Sequence, residues 1–144
     1  RVVMDGVVIE VLHPPPADGP AHAPPGNEDS LVLRLTYGRV SVLLAGDIGV
    51  ASERLIAGAG ASLRSDVLKA GHHGSAGSTG EAFLEAVRPR FVLVSAGDGN
   101  TYGFPSPAVL ARCRKAGARV LRTDLDGAVE VRTDGRRVRV RTSV

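Results

Sequence analysis

The chain has 144 residues, with 18 Lys and Arg against 15 Asp and Glu, a net charge of +3. Hydrophobic residues make up 43% and aromatics 3%, with no tryptophan, which points to one domain with a core of Val, Leu, Ala and Ile. No apolar run approaches the roughly 18 residues of a membrane span, the single cysteine excludes an intrachain disulfide, and the mild basicity permits a polyanionic partner without demanding one.

The opening "RVVMDGVVIEV" has neither the apolar core nor the cleavage pattern of a signal peptide. It reads as a strand entered part-way, so the chain is expected to be a piece of a larger protein. Val7 to His13 reads as a strand. Pro14 to Asp29 is a Pro- and Gly-rich loop without periodicity. His13 and His22 lie beside its prolines and read as surface residues. Leu31 to Tyr37, with Arg34 outward, and Val40 to Asp47 flank Gly38-Arg39, which predicts a hairpin. Val50 to Ser62 reads as a helix with Glu53 and Arg54 on its wet side. Asp66 to Ala70 is a short apolar strand, in which Lys69 reads as solvated. Ser78 and Glu81 have capping-box spacing, predicting a helix start at Ser78.

Arg90 to Gly97 follows as a buried strand. The next helix carries Ser106 as N-cap, Pro107 at its first position and Gly117 past its end. Cys113 within it reads as a small buried residue. Ala118 to Thr123 is a strand, followed by a turn made by Asp124 and Asp126. Two alternating runs around Asp134-Gly135 predict a two-residue hairpin. Its arginines, in "GRRVRVRT" (Gly135 to Thr142), read either as the solvated face of a strand or as a phosphate-contacting stripe. Strands alternating with helices argue for a layered α/β sheet.

Two strand ends carry candidate chemistry. One ends in "AGD", placing Asp47 just beyond it; another ends in "GHHGS", placing His72 and His73 likewise. If those strands are neighbours, a carboxylate and an imidazole meet at one sheet edge and make half of a metal site. The alternative for Asp47 is a helix N-cap. Asn27 is a turn residue or faces the site. Ser75 and Ser78 cap a helix or donate to a phosphate at its N-terminus. Asn100 and Tyr102, in a Gly-rich loop, pack the turn or line a substrate cleft.

"NEDSLVLRLTYGRVSVLLAGD", "DVLKAGHHGSAGS", "NTYGFPSP" and "RTDLDGAVEV", in this order, resemble the C-terminal metallo-β-lactamase-like domain of the ComEC competence proteins. The resemblance runs from about Val7 to Val131. It implies an α/β fold, the C-terminal half of a metallo-β-lactamase-like αββα sandwich. It also implies a site for up to two divalent ions, zinc or manganese, with Asp47 and His72 as ligands. His73 is implied as a neighbour of the ligands or a proton donor to the leaving group, Ser75 as a phosphate contact, and Asn27, Asn100 and Tyr102 as substrate-facing.

The implied activity is a phosphodiesterase or nuclease acting on DNA during uptake, within a bacterial membrane channel protein and on its extracytoplasmic side. The implied partners are DNA and the rest of that channel. The departures are equally specific. No His/Asp ligand cluster stands in residues 1–25, Asn27 occupies a place where other relatives carry His, and Phe104 stands where the family commonly has His. The isolated chain is therefore expected to be weakly active or inactive. The competing readings are a DNA-binding scaffold whose site has decayed, and a hydrolase of another ester or a lactone.

Overall fold

A computed structural model describes residues 1–15 and 26–144. Most of the Pro/Gly-rich stretch, including His22, lies outside the described residues. Among those described, the strands are β1 (Val2–Met4), β2 (Val7–His13), β3 (Val32–Tyr37), β4 (Val40–Leu44), β5 (Val67–Lys69), β6 (Phe91–Val94), β7 (Arg119–Arg122), β8 (Val129–Thr133) and β9 (Val138–Thr142). The helices are α1 (Val50–Gly58), α2 (Glu81–Val87), α3 (Pro107–Lys115) and the single turn α4 (Thr123–Asp126).

The first seven strands form one sheet, arranged in chain order. β1 to β4 are antiparallel neighbours, with short turns joining β1 to β2 and β3 to β4 and residues 14–31 standing between β2 and β3. β4 to β7 run parallel, so each return needs a crossover, and α1, α2 and α3 supply it. The α/β expectation holds. The helices share one face: Ile56, Phe83, Leu84, Val87, Val109 and Cys113 cluster with Leu43, Leu68, Val92 and Val94 of the sheet. Each fully buried Leu, Val or Phe contributes about 1.5–3 kcal/mol. On the opposite face Leu33, Leu44 and Leu93 form a half-buried row that includes Lys69.

The remaining pair, β8 and β9, is a separate antiparallel ribbon. Thr133 pairs with Val138, so its loop is four residues, not the expected two. Asp134 Oδ1 accepts the N–H groups of Arg136 (2.9 Å) and Arg137 (2.8 Å), which fixes that longer loop. The ribbon tip docks on the β3–β4 turn, where Arg39 N–H donates to the Gly135 carbonyl (2.7 Å).

Several expectations are corrected. Glu53 does not face water; it is 1% exposed, and its carboxylate accepts the N–H groups of Thr79 and Gly80 (the latter 2.8 Å). It thereby caps α2, which begins at Glu81 and not at Ser78. Ser78 Oγ donates to the carbonyls of Gly71 (2.8 Å) and Ser75 (2.9 Å) instead. A buried charge reaching over from α1 satisfies the orphan amides better than the exposed local box would. Arg34 is partly buried against Glu10 (3.2 Å) and the Arg64 carbonyl (3.0 Å). His13 is buried, its Nε2 bound to the Glu28 carbonyl (2.7 Å).

Cys113 is fully buried, and burial pushes its thiol up to about 11. Iodoacetamide at pH 8 is expected to leave the native chain unmodified by mass spectrometry, with full labelling only in denaturant.

Candidate metal and phosphoester site

β4 and β5 are adjacent and parallel, with Leu44 opposite Lys69. Their ends therefore reach the same sheet edge, and the strand-end convergence expected from the sequence is present. Asp47 is not a helix cap; α1 is capped at Gly49 with no side-chain bond. The Asp47 carboxylate instead faces a cleft of about 630 Å³ also lined by His72, His73, Asn27, Tyr102 and Phe104.

His72 and His73 both sit in the left-handed region, at φ 45° and 54°. Two consecutive non-glycine residues there cost about 1–2 kcal/mol each. The His72 N–H donates to the Gly46 carbonyl (3.1 Å), tying the two strand ends together. The strained backbone turns the two rings apart. His73 Nε2 comes to 3.8 Å from Asp47 Oδ1. Its Nδ1 is 2.8 Å from the Ser95 carbonyl, which can only accept, so Nδ1 carries a proton and Nε2 is the nitrogen turned toward the carboxylate. His72 Nε2 lies 3.3 Å from Asn27 Nδ2, and its ring packs edge-on to Phe104 at 5.5 Å.

A neutral His73 turns a lone pair toward the carboxylate and leaves room for a cation between or beside them, whereas a protonated one forms an ion pair with it. Lys69, expected to be solvated, supplies part of that charge. Its Nζ is 4.0 Å from Asp47 Oδ1 and donates to the Gly46 carbonyl (3.4 Å). Burial holds its ammonium pKa below the usual lysine range, with the Asp47 carboxylate opposing that shift.

Two donors each about 2.0–2.2 Å from one tetrahedral ion lie about 3.3–3.6 Å apart, so the pair, at 3.8 Å, would close by a few tenths of an ångström to hold it. The Nδ1 bond to a backbone carbonyl is the usual second anchor of a ligating histidine. Asp47 and His73 are the pair this distance brings together, whereas the resemblance implies His72 as the ligand, and the His72 Nε2 faces Asn27. Among the described residues no group of three or more His, Cys, Asp and Glu side chains is arranged to hold an ion.

The other sequence candidates separate. Asn100 lines the cleft, but its amide donates to the Gly97 (2.9 Å) and Phe104 (2.7 Å) carbonyls and accepts the Phe104 N–H (3.0 Å), so it staples the loop. Tyr102 is 79% exposed and stacked on Phe104 at 5.7 Å. Ser75 is outside the cleft lining; its N–H donates to the His72 carbonyl (2.8 Å) and supports the histidine turn.

Gly74 closes that turn at φ +80°, and a Cβ there would meet Pro105 Cβ at 2.7 Å. Gly74→Ala is expected to lower stability by about 2–3 kcal/mol in urea denaturation, displacing the Phe104-Pro105 wall.

No family model matches the chain. It is 40% identical over 110 residues to ComE operon protein 3 of Bacillus subtilis, covering 76% of this chain and 14% of that protein. It is 42% identical over 105 residues to competence protein ComA of Neisseria gonorrhoeae, 72% of this chain and 15% of that protein. Recombination protein 2 of Haemophilus influenzae is 37% identical over 105 residues, 73% and 13% respectively. The chain thus spans only 13% to 15% of the length of these curated relatives. On this similarity, and in agreement with the motifs, the chain belongs to the ComEC family of competence proteins.

Proposed function

We propose that the chain forms one wall of a metal-dependent phosphodiesterase site in a DNA-uptake protein, within a metallo-β-lactamase-like sandwich. The observation that carries this reading is the Asp47–His73 pair, carboxylate and imidazole Nε2 3.8 Å apart, held by strained backbone at a strand end. Asp47 and His73 would hold the ion; the remaining ligands would come from outside this chain. When bound, such an ion supplies Lewis-acid polarisation of a phosphoryl oxygen and a hydroxide nucleophile.

The chain's own residues do the rest. Lys69 adds a fixed positive charge beside Asp47. The Ser95 carbonyl fixes the His73 tautomer. His72, with an unprotonated Nε2 toward Asn27, orients a polar group of the substrate or relays a proton. Tyr102 and Phe104 offer an exposed aromatic ledge suited to stacking a base. The competence names of the relatives support a role in DNA uptake and a membrane-associated setting; DNA as the substrate and the extracytoplasmic side are part of the proposal. No helix among the described residues is long and apolar enough to cross a membrane.

The test is hydrolysis of bis-p-nitrophenyl phosphate and of a lactone by the full-length protein, with Mn²⁺ or Zn²⁺ and after chelation. Phosphodiester cleavage lost on chelation supports the proposal; lactone cleavage alone replaces it. Phe104, at the position where the family commonly has His, favours a second reading, a non-hydrolytic DNA scaffold. DNA uptake without cleavage under any metal condition would establish that one.

A further inference from the structure

The β8–β9 ribbon concentrates the charge of the molecule. Between Val129 and Thr142 stand five arginines against Glu130 and Asp134, a net of +3, so the remaining residues are charge-balanced. The ribbon alternates: its valines are half-buried, and Glu130, Arg132, Arg139 and Arg141 are exposed on the other face.

Register makes that face unusual. Arg132 lies directly opposite Arg139, and Glu130 opposite Arg141. Like charges facing each other across a ladder, about 4.5–5.5 Å apart at Cβ, destabilise it. Glu130 relieves only part of this, by pairing with Arg132 at 2.8 Å. Among the described residues Arg137, Arg139 and Arg141 have no ion-pair partner. These side chains surround a concavity of about 260 Å³. The stretch holds no lysine; guanidinium forks match phosphate oxygens two at a time. Arg139 and Arg141 project about 6.8 Å apart along the strand.

The root of the ribbon adjoins the cleft. Thr123, which opens α4 just before β8, exchanges hydrogen bonds with the backbone of Ala96 (2.9 and 2.8 Å), a cleft-lining residue. From there the ribbon runs to its tip at the β3–β4 turn, so the arginine face is a track leading away from the cleft. We propose that this face is a nucleic-acid backbone site, separate from the histidine cleft, in which Arg132, Arg139 and Arg141 hold successive phosphates. It carries no aromatic residue, so it grips without stacking bases or reading sequence. It also lacks the exposed apolar residues that seat a surface element in a bilayer.

The experiment is fluorescence anisotropy of this chain with a labelled single-stranded oligonucleotide of mixed sequence, across a salt series. The triple variant R132S/R139S/R141S is expected to bind at least about 10-fold more weakly, with the slope of log K against log salt reduced by about 2. Its thermal midpoint is expected to stay level or rise, since the opposed charges are gone, so weak binding cannot be assigned to unfolding. Unchanged affinity and slope would overturn the proposal. So would a variant that keeps oligonucleotide binding but loses binding to phosphatidylserine vesicles, which would make the face a lipid site. The readout is binding, so the result stands apart from whether the cleft hydrolyses anything.

Discussion

Replacing Glu53 by alanine lowers the thermal midpoint by on the order of 10 °C. Glu53 is 1% exposed and belongs to α1, yet its carboxylate binds the first amides of the α2 entry, at Thr79 and Gly80. The α2 N-cap, Gly80, offers no side-chain bond of its own. Arg112 of α3 closes the same knot by donating to the carbonyls of Thr79 (3.2 Å), Ala76 (3.1 Å) and Ser78 (2.8 Å). Burial raises the Glu53 carboxyl above its ordinary pKa, while the two N–H groups and Arg112 pull it back. Alanine would orphan two amides, at about 1–3 kcal/mol each, and leave a cavity. A total near 3–5 kcal/mol, at about 2–4 °C per kcal/mol, gives the stated shift. Glu53→Gln keeps the volume but turns an NH2 toward one amide, so it recovers only part. Calorimetry decides: a midpoint within a degree or two of the parent would show that the three helices do not depend on this carboxylate.

Asp47→Ala in the full-length protein is expected to reduce phosphodiester hydrolysis by about 10²- to 10³-fold while leaving the fold intact. The loss of rate corresponds to about 3–4 kcal/mol of transition-state stabilisation, the range for removing one charged group from the reacting centre. Stability should not follow. Among the described residues Asp47 accepts no hydrogen bond; its near neighbours are Lys69 at 4.0 Å and His73 at 3.8 Å. Both ion pairs are partly exposed, and such pairs contribute about 0–1 kcal/mol. The melting curve should therefore overlay that of the parent. A rate unchanged from the parent would remove Asp47 from the chemistry.

Much of the framework was legible because punctuation and period agreed. β2 occupies Val7–His13, the apolar, β-branched run that reads as a strand, and Pro107 and Gly117 bracket α3. The Asp5-Gly6 turn carries the same kind of signal, at φ 49° and 81°, but β1 before it spans three residues, too few for alternation to register. Glu53 was not legible. A nine-residue helix presents it among polar neighbours, and only the packing of α2, far along the chain, buries it. Lys69 was missed for the same reason: strand placement within the sheet is not local information. The pairing of Asp47 with one particular histidine depends on the left-handed backbone at both positions, which the residue types alone do not specify.

The sheet strands lie side by side in the order they are synthesised, β1 through β7. Each strand emerging from a ribosome therefore meets a partner already in place, and none must wait for a later one to be threaded between existing neighbours. Growth is by addition at one margin. A chain stalled or cut after any crossover would keep a continuous sheet, with the loss confined to the strands beyond the break. The Asp47 and histidine loops, carried by the fourth and fifth strands, would be facing each other well before the ribbon is made.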